Sequence, residues 1–416
     1  MAPGDNAGSA EIPSGFAALR QREFAVFIAS KLLAFSAHHM LVIAVGYQIY
    51  DLTGDAMALA YLSLVLVVPT VCFALFTGYV SDHFDRRLVL SAGYGGMAIA
   101  SAGLWLISDL GLVTSHWTYV ALFVNGTARA FANPATTSIV PNLVPFNCFA
   151  NAVTWNTVST RVTQIGGPAL GGVLYLFSPD VVYATAAVAC AAGVLAALRI
   201  TPRPPPPSAV KPGMRELLAG AVYLYHSKIV LGTVLLDLIV ILSASVQAVL
   251  PIIAKDVLMV GPAGAGILRS VMAAGGLATA LAMTHIPITR HAGRLMFAGA
   301  ALFMVCAIVV GLSPWFPLTI AAMAVMGTAD MFNVNIRHTL MQVATPDNMR
   351  GRVSAIALLA AGSATELGGF RAGTLAAVIG IVPSVVAGGL AGLVLIAVSW
   401  KLFPELTRIQ RSDRID

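Results

Sequence analysis

Charge is what this chain has least of. Of its 416 residues, only 10% are Asp, Glu, Lys or Arg, while 58% are hydrophobic; soluble domains carry about 25% charge. The mean hydropathy of +0.85 rules out a water-soluble fold, which has too little interior to hide that much apolar surface, so the surrounding solvent must be lipid. Cysteine is sparse too. Cys72, Cys148, Cys190 and Cys306 show neither zinc nor disulfide spacing, so no metal site is expected. There is no Walker loop, no H-E-x-x-H and no polar domain to hold a cofactor, which leaves enzyme classes without support. The expectation is a chain that is not an enzyme and needs no cofactor.

The apolar residues are arranged in long runs. A helix needs about 20 of them to cross the bilayer core, and the runs are far too long for barrel strands. Twelve spans are expected, near 24–50, 56–80, 88–108, 117–140, 149–177, 181–200, 229–254, 263–285, 294–313, 316–343, 352–379 and 382–403; they are numbered 1 to 12 below. Every backbone polar group in lipid must be satisfied within its own segment, so these spans are helices. The fold class is an all-α membrane bundle. The first 15 residues are polar and rich in Gly and Pro, and the first apolar run is too long for a signal-peptide core, so no cleaved leader is expected.

Lys and Arg set the orientation. With both termini cytoplasmic, 17 of the 24 basic residues fall on the cytoplasmic side and only Lys255 outside. This is a positive-inside pattern. The net charge of +6 is therefore a topology device rather than a nucleic-acid patch, although the basic C-terminal tail can touch anionic lipid head groups. Six basic residues remain inside spans: Lys31, Arg129, Arg161, Arg269, Arg337 and Arg371. Lys31 and Arg269 lie near span ends, where a long side chain can snorkel outward.

The chain divides once. "TPRPPPPSAVKPGM" at 201–214 cannot be helical, and it leads into a short amphipathic segment expected on the cytoplasmic face. The expected division is 1–200 as a first six-helix bundle, 201–228 as linker and 229–416 as a second bundle. The halves are related: "GTARAF" at 126–131 matches "GTADMF" at 327–332, and "TQIGG" at 163–167 matches "TELGG" at 365–369. Span 4 thus corresponds to span 10, and span 5 to span 11. Two parallel six-span repeats about an axis along the membrane normal are the architecture of major facilitator transporters.

Local motifs carry a resemblance to that family. "GYVSDHFDRR" at 78–87 resembles the major facilitator loop motif G-x-x-x-D-R-x-G-R-R. Gly78, Asp82, Arg86 and Arg87 match, while His83 and Asp85 stand where Arg and Gly are usual. "GPALGG" at 167–172 resembles the antiporter motif through Gly167, Pro168, Gly171 and Gly172. The wording of "YQIYDLTGD", "HFDRRLVL" and "TPDNMRGRVSA" is similar to the enterobactin-exporter and drug-efflux subfamily. The resemblance implies alternating access in a bacterial inner membrane, a latch around Asp82 on the cytoplasmic side, and a seal at the Gly-rich stretch of span 5. Gly78 is expected to permit close approach of spans 2 and 11.

Charges inside the membrane point to function, since each costs about 2.5–3.5 kcal/mol at mid-bilayer. Asp330, Asn333 and Arg337 share one helix face, as do Asp237 and Gln247. Arg129 is the repeat mate of Asp330, and Gln164 that of Glu366. Arg129, Arg161, Asn333, Arg337, Gln247, Gln164, His38 and His39 are the expected substrate-cavity residues. Glu366, Asp330 and Asp237 are the candidates for proton coupling. Glu366 comes first, because it sits among glycines opposite neutral Gln164, whereas Asp330 has Arg neighbours. The competing reading is a set of fixed interhelical ion pairs.

The resulting expectation is a monomeric, proton-coupled exporter of a small organic molecule, with protons and lipids as its other partners. Surplus Arg charge in the seam suggests an anionic, siderophore-like or drug-like cargo. An uptake symporter of the same fold and a non-transporting receptor are the alternatives. The mid-membrane charges on both halves weigh against the receptor.

Overall fold

The computed structural model describes residues 15–201, 214–285, 291–347 and 349–408. Among them there is no strand, and the twelve expected spans all fall on helix. Spans 1 to 6 are Arg22–Thr53, Ala56–Cys72 continued by Ala74–His83, Arg86–Asp109, Ser115–Ser138, Phe149–Leu174 and Pro179–Leu198. Spans 7 to 12 are Lys228–Val257, Gly261–His285, Ala292–Leu312, Phe316–Ala344, Arg350–Ile379 and Ile381–Leu402. Nine helical segments among the described residues are long and apolar enough to cross a membrane. Ala56–Cys72 is apolar but shorter, and spans 4 and 5 are long but more polar. Their polarity is turned inward: Asn125 and Thr163 are buried.

Sequence chemistry explains the helix ends. The Asp55 carboxylate caps span 2 by accepting from Met57 N at 2.8 Å, and Ser178 caps span 6, where Pro179 fills the first helical position. Asp85 accepts from Arg87 N at 2.9 Å and so caps span 3, which gives this departure from the family loop motif a local purpose. Gly54 closes span 1 at φ +61°, a left-handed conformation that suits glycine.

Two spans are not continuous. Span 2 is interrupted at Phe73, one turn beyond Pro69. Span 7 was expected to run unbroken over 229–254, but its first helix stops at Ser243. The chain resumes as a 3₁₀ turn at Val246–Val249 and ends in a π turn at Ile253–Val257. The exposed carbonyls of Leu242 and Ser243 each accept a bond of 2.7 Å from the Arg371 guanidinium of span 11. A cation thus meets the negative end of the half-helix. Gly388 of span 12 leaves room for it, since a Cβ there would stand 3.0 Å from Arg371 Nη2.

The packing repeats between the two sets of six. Span 3 lies between spans 4 and 6, and its counterpart span 9 between spans 10 and 12. Span 2 packs on span 11, and span 5 on span 8, which is the same contact exchanged by the repeat. Glycine makes both approaches possible. A Cβ at Gly373 would stand 2.9 Å from the Ala60 Cα, and one at Gly172 would stand 2.7 Å from the Pro262 carbonyl oxygen.

The two sets close against each other at the face bearing the 54–55 and 258–260 connections. Lys255 pairs with Asp51, Tyr50 with Asp256, and the Lys255 ammonium lies 5.6 Å over the Tyr50 ring. At the opposite face the loop motif does not draw spans 2 and 11 together. A Cβ on Gly78 would meet nothing within 4 Å. The close approach expected at Gly78 is not made in this state, where the small-residue contacts between these spans lie at the other end, at Ser63 with Gly369 and Ala60 with Gly373. Arg86 and Arg87 bond within the first six spans. Arg86 donates to Ser138 O at 2.7 Å and Asn142 Oδ1 at 2.6 Å, and Arg87 to Ile200 O at 3.3 Å. The Asp82 side chain and the Pro-rich stretch over 202–213 lie outside the described residues. The amphipathic linker helix, Met214–His226, rests on span 11, where a Cβ at Gly220 would meet Arg352 at 2.9 Å, and its Tyr223 Oη donates to Ala344 O at the end of span 10 at 2.8 Å.

Candidate functional site: a charged central cavity

The seam between the two sets of spans encloses a cavity of about 330 Å³. Its walls come from spans 1, 2, 4 and 7 to 11. One part is apolar, with Val42, Leu59, Leu62, Met272, Phe303 and Met326. The rest is charged or polar. His38, His39, Arg129, Asp237, Gln247, Asp330, Arg337 and Glu366 all line it, as their positions in the sequence imply.

The pairing is not the expected one. Glu366 faces Arg129 rather than Gln164: its Oε1 lies 3.8 Å from Arg129 Nη2, and the pair bridges span 11 to span 4. The Arg129 Nε is buried without a hydrogen bond. Gln164 is turned away, its Oε1 accepting from Arg161 Nη1 at 3.0 Å, while Arg161 Nη2 meets Met331 Sδ at 3.2 Å. Neither Arg161 nor Gln164 lines the cavity. Asn333 is the third correction. Its amide is satisfied by the span 9 backbone at Met296 O (2.7 Å) and Ala300 N (2.9 Å), and it borders a separate cleft of only about 10 Å³. It shares that cleft with Asp237, Asp330 and Arg337, as helical spacing implied, but span 9 packs closely enough to keep it out of the main cavity.

Asp237 and Arg337 form a second ion pair, joining span 7 to span 10, with side chains only 9% and 10% exposed. A carboxylate so tightly paired reads as structural, which sets Asp237 apart from Asp330 and Glu366 as a proton-coupling candidate. His38 Nδ1 shares a hydrogen bond of 2.7 Å with Asn125 Oδ1, and the His39 ring stands 5.4 Å from it. Gln247 reaches Met272 Sδ at 3.1 Å. The glycines of span 5 serve span 1: a Cβ at Gly167 would meet the His39 Cβ at 2.6 Å, and one at Gly171 the Met40 Cα at 2.8 Å. Pro168 is buried among them, and Gly172 completes the contact to span 8.

The two basic residues placed near enough to span ends to snorkel do not. Lys31 is 3% exposed, and its Nζ donates to Asn156 O, Asn156 Oδ1 and Thr160 Oγ1 at 2.8, 2.6 and 2.7 Å. Arg269, on span 8, lines the cavity. Reasoning from distance to a span end missed it. The available signal was that Gly266, Arg269 and Ser270 are interrupters on an otherwise apolar helix.

A twelve-span bundle with a seam of mid-membrane charges defines a secondary transporter fold. Residues 13–415 match the family described as transmembrane secretion effectors, and the chain belongs to that family of major facilitator transporters. It is 25% identical over 391 residues to the enterobactin exporter EntS of Shigella boydii serotype 18, covering 93% of each chain. Among solved structures it is similar to an inward-facing, occupied bacterial homolog of the lysosomal transporter Spinster. The TM-score is 0.75 at 14% identity, covering 93% of this chain and 97% of that one. A D-xylose-proton symporter also superposes, with a TM-score of 0.71 at 14% identity, over 92% and 98% of the two chains. At that identity these neighbours speak to the fold alone.

Proposed function

We propose that this protein is a proton-coupled exporter of a small organic molecule, working by alternating access as a monomer in the bacterial inner membrane. The two six-helix bundles, over 1–200 and 229–416, rock against each other, with the 201–228 linker and both termini in the cytoplasm. The positive-inside distribution supports that orientation, and lipid phosphates then meet the basic tail. The closed face bearing Lys255 and Asp51 is the outer one, so the cavity is poised to load from the cytoplasm.

The observation that carries the reading is the Arg129–Glu366 ion pair at 3.8 Å. It bridges the two bundles inside the cavity, with side chains 23% and 19% exposed. A carboxylate in that place changes partners whenever the bundles move, and it can exchange a proton with the cavity as it does so. Asp330, near Arg161, is the second candidate. The similarity to an enterobactin exporter supports outward transport and a siderophore-like or drug-like cargo.

Efflux from proteoliposomes under an imposed pH gradient tests the proposal. Glu366→Gln, which mimics the protonated carboxyl, is expected to abolish gradient-driven efflux while substrate still binds. Uphill efflux at the wild-type rate in this variant would move the coupling role to Asp330.

A further inference from the structure

One guanidinium in the cavity is left over. Among the described residues, Arg337 is paired with Asp237 and Arg129 with Glu366, while Arg161 lies outside the cavity and donates to Gln164. Arg269 lines the same cavity yet makes no hydrogen bond and no close ion pair with any described residue. It feels Glu366 only at longer range, and Arg129 opposes it. A guanidinium with five donors and no acceptor is costly to keep at membrane depth. Such a group stays only where water or a visiting counter-charge can reach it.

Its backbone is well held. Gly266, one turn earlier, packs against Gly172 of span 5, where a Cβ would stand 3.1 Å from the Gly172 Cα. The next residue, Ser270, donates its hydroxyl to Ile165 O at 2.6 Å across the seam. The guanidinium is thus presented from a rigid platform, the arrangement that makes a binding group specific. The same cavity has apolar wall formed by Val42, Leu59, Leu62 and Phe303. Arg129, paired with Glu366, is another guanidinium in the same wall.

We propose that Arg269 is the anchor for an anionic group on the cargo, and that the cargo is an organic anion whose apolar body lies against spans 1, 2 and 9. This rests on the exporter reading for its place in transport, but the binding site can be tested without flux. A charge-assisted bond contributes enough to be read as roughly a tenfold preference for the anion.

The probes are radiolabelled 2-naphthoate and its neutral isostere 2-naphthamide, measured by equilibrium dialysis on the detergent-solubilised full chain. Wild type is expected to bind the naphthoate about tenfold more tightly than the amide. Arg269→Gln should lose that preference while keeping the amide affinity, and Arg269→Lys should retain part of it. Equal affinities in the wild type, or no saturable naphthoate binding, overturn the proposal; so does full preference in Arg269→Gln. If Arg269→Gln fails to fold while Arg269→Lys folds and binds both probes equally, the residue is structural and the proposal also falls. Efflux measured separately keeps the two readings apart. Transport without an anion preference sinks this site alone, whereas anion binding without transport sinks the exporter.

Discussion

Replacing Arg337 with glutamine should unfold this protein more readily than any cavity substitution considered above. The Asp237 carboxylate and the Arg337 guanidinium are 9% and 10% exposed, so each recovers little of its hydration when the other is removed. Breaking a buried pair costs about 3–5 kcal/mol, because the survivor is left as an uncompensated charge. Asp237 borders the cavity, where some water can follow, which places the expected loss near the lower end, about 3 kcal/mol. The Arg337 Nε is itself buried without a partner, so the pair is not fully satisfied even in the native state. Replacing both residues by neutral ones should therefore return most of the loss. Equilibrium unfolding in mixed detergent micelles would measure Arg337→Gln, Asp237→Asn and the double variant as a cycle. The expected coupling is at least about 1.5 kcal/mol in favour of the double variant. Additive losses, or wild-type stability in Arg337→Gln, would refute the claim that these spans are joined by a desolvated pair.

Two further outcomes follow from the packing. Gly172→Leu drives a side chain toward the Pro262 carbonyl, already 2.7 Å from the position of a Cβ. It should push spans 5 and 8 apart and open the sealed face, raising the labelling by impermeant maleimide of a cysteine placed at Leu59; unchanged labelling would show that this contact does not govern the state. Lys31→Met removes a buried donor serving three oxygens and should cost about 1–3 kcal/mol of stability, with cargo affinity unchanged because Lys31 lies outside the cavity wall. A loss of affinity at unchanged stability would place Lys31 in the site instead.

Much of this protein was legible before folding was considered, because the relevant signals are local. Hydropathy averaged over one helix length finds a span, and basic residues mark which ends share a face. The repeat of "GTARAF" in "GTADMF" and of "TQIGG" in "TELGG" aligns the halves, and places Arg129 level with Asp330 and Gln164 level with Glu366. The family membership and the cavity positions of His38, His39, Gln247 and Arg337 came from the same reasoning.

Partners were another matter, and only the tertiary structure decided them. Depth along a helix is set by residue number, but direction is set by rotation about its axis, at 100° per residue for 3.6 residues per turn. Modest differences in how helices pack therefore choose the neighbour. Glu366 was given Arg129 in place of Gln164, and Asn333 was claimed by the backbone of span 9. Arg269 entered the cavity rather than reaching for a head group, because span 8 is drawn in against span 5 by Gly266 and Gly172. The break in span 7 falls at Ser243–Ser245, ahead of Pro251. Its freed carbonyls are satisfied by Arg371 from span 11, a cost met by a residue 128 positions away that no reading of span 7 alone contains.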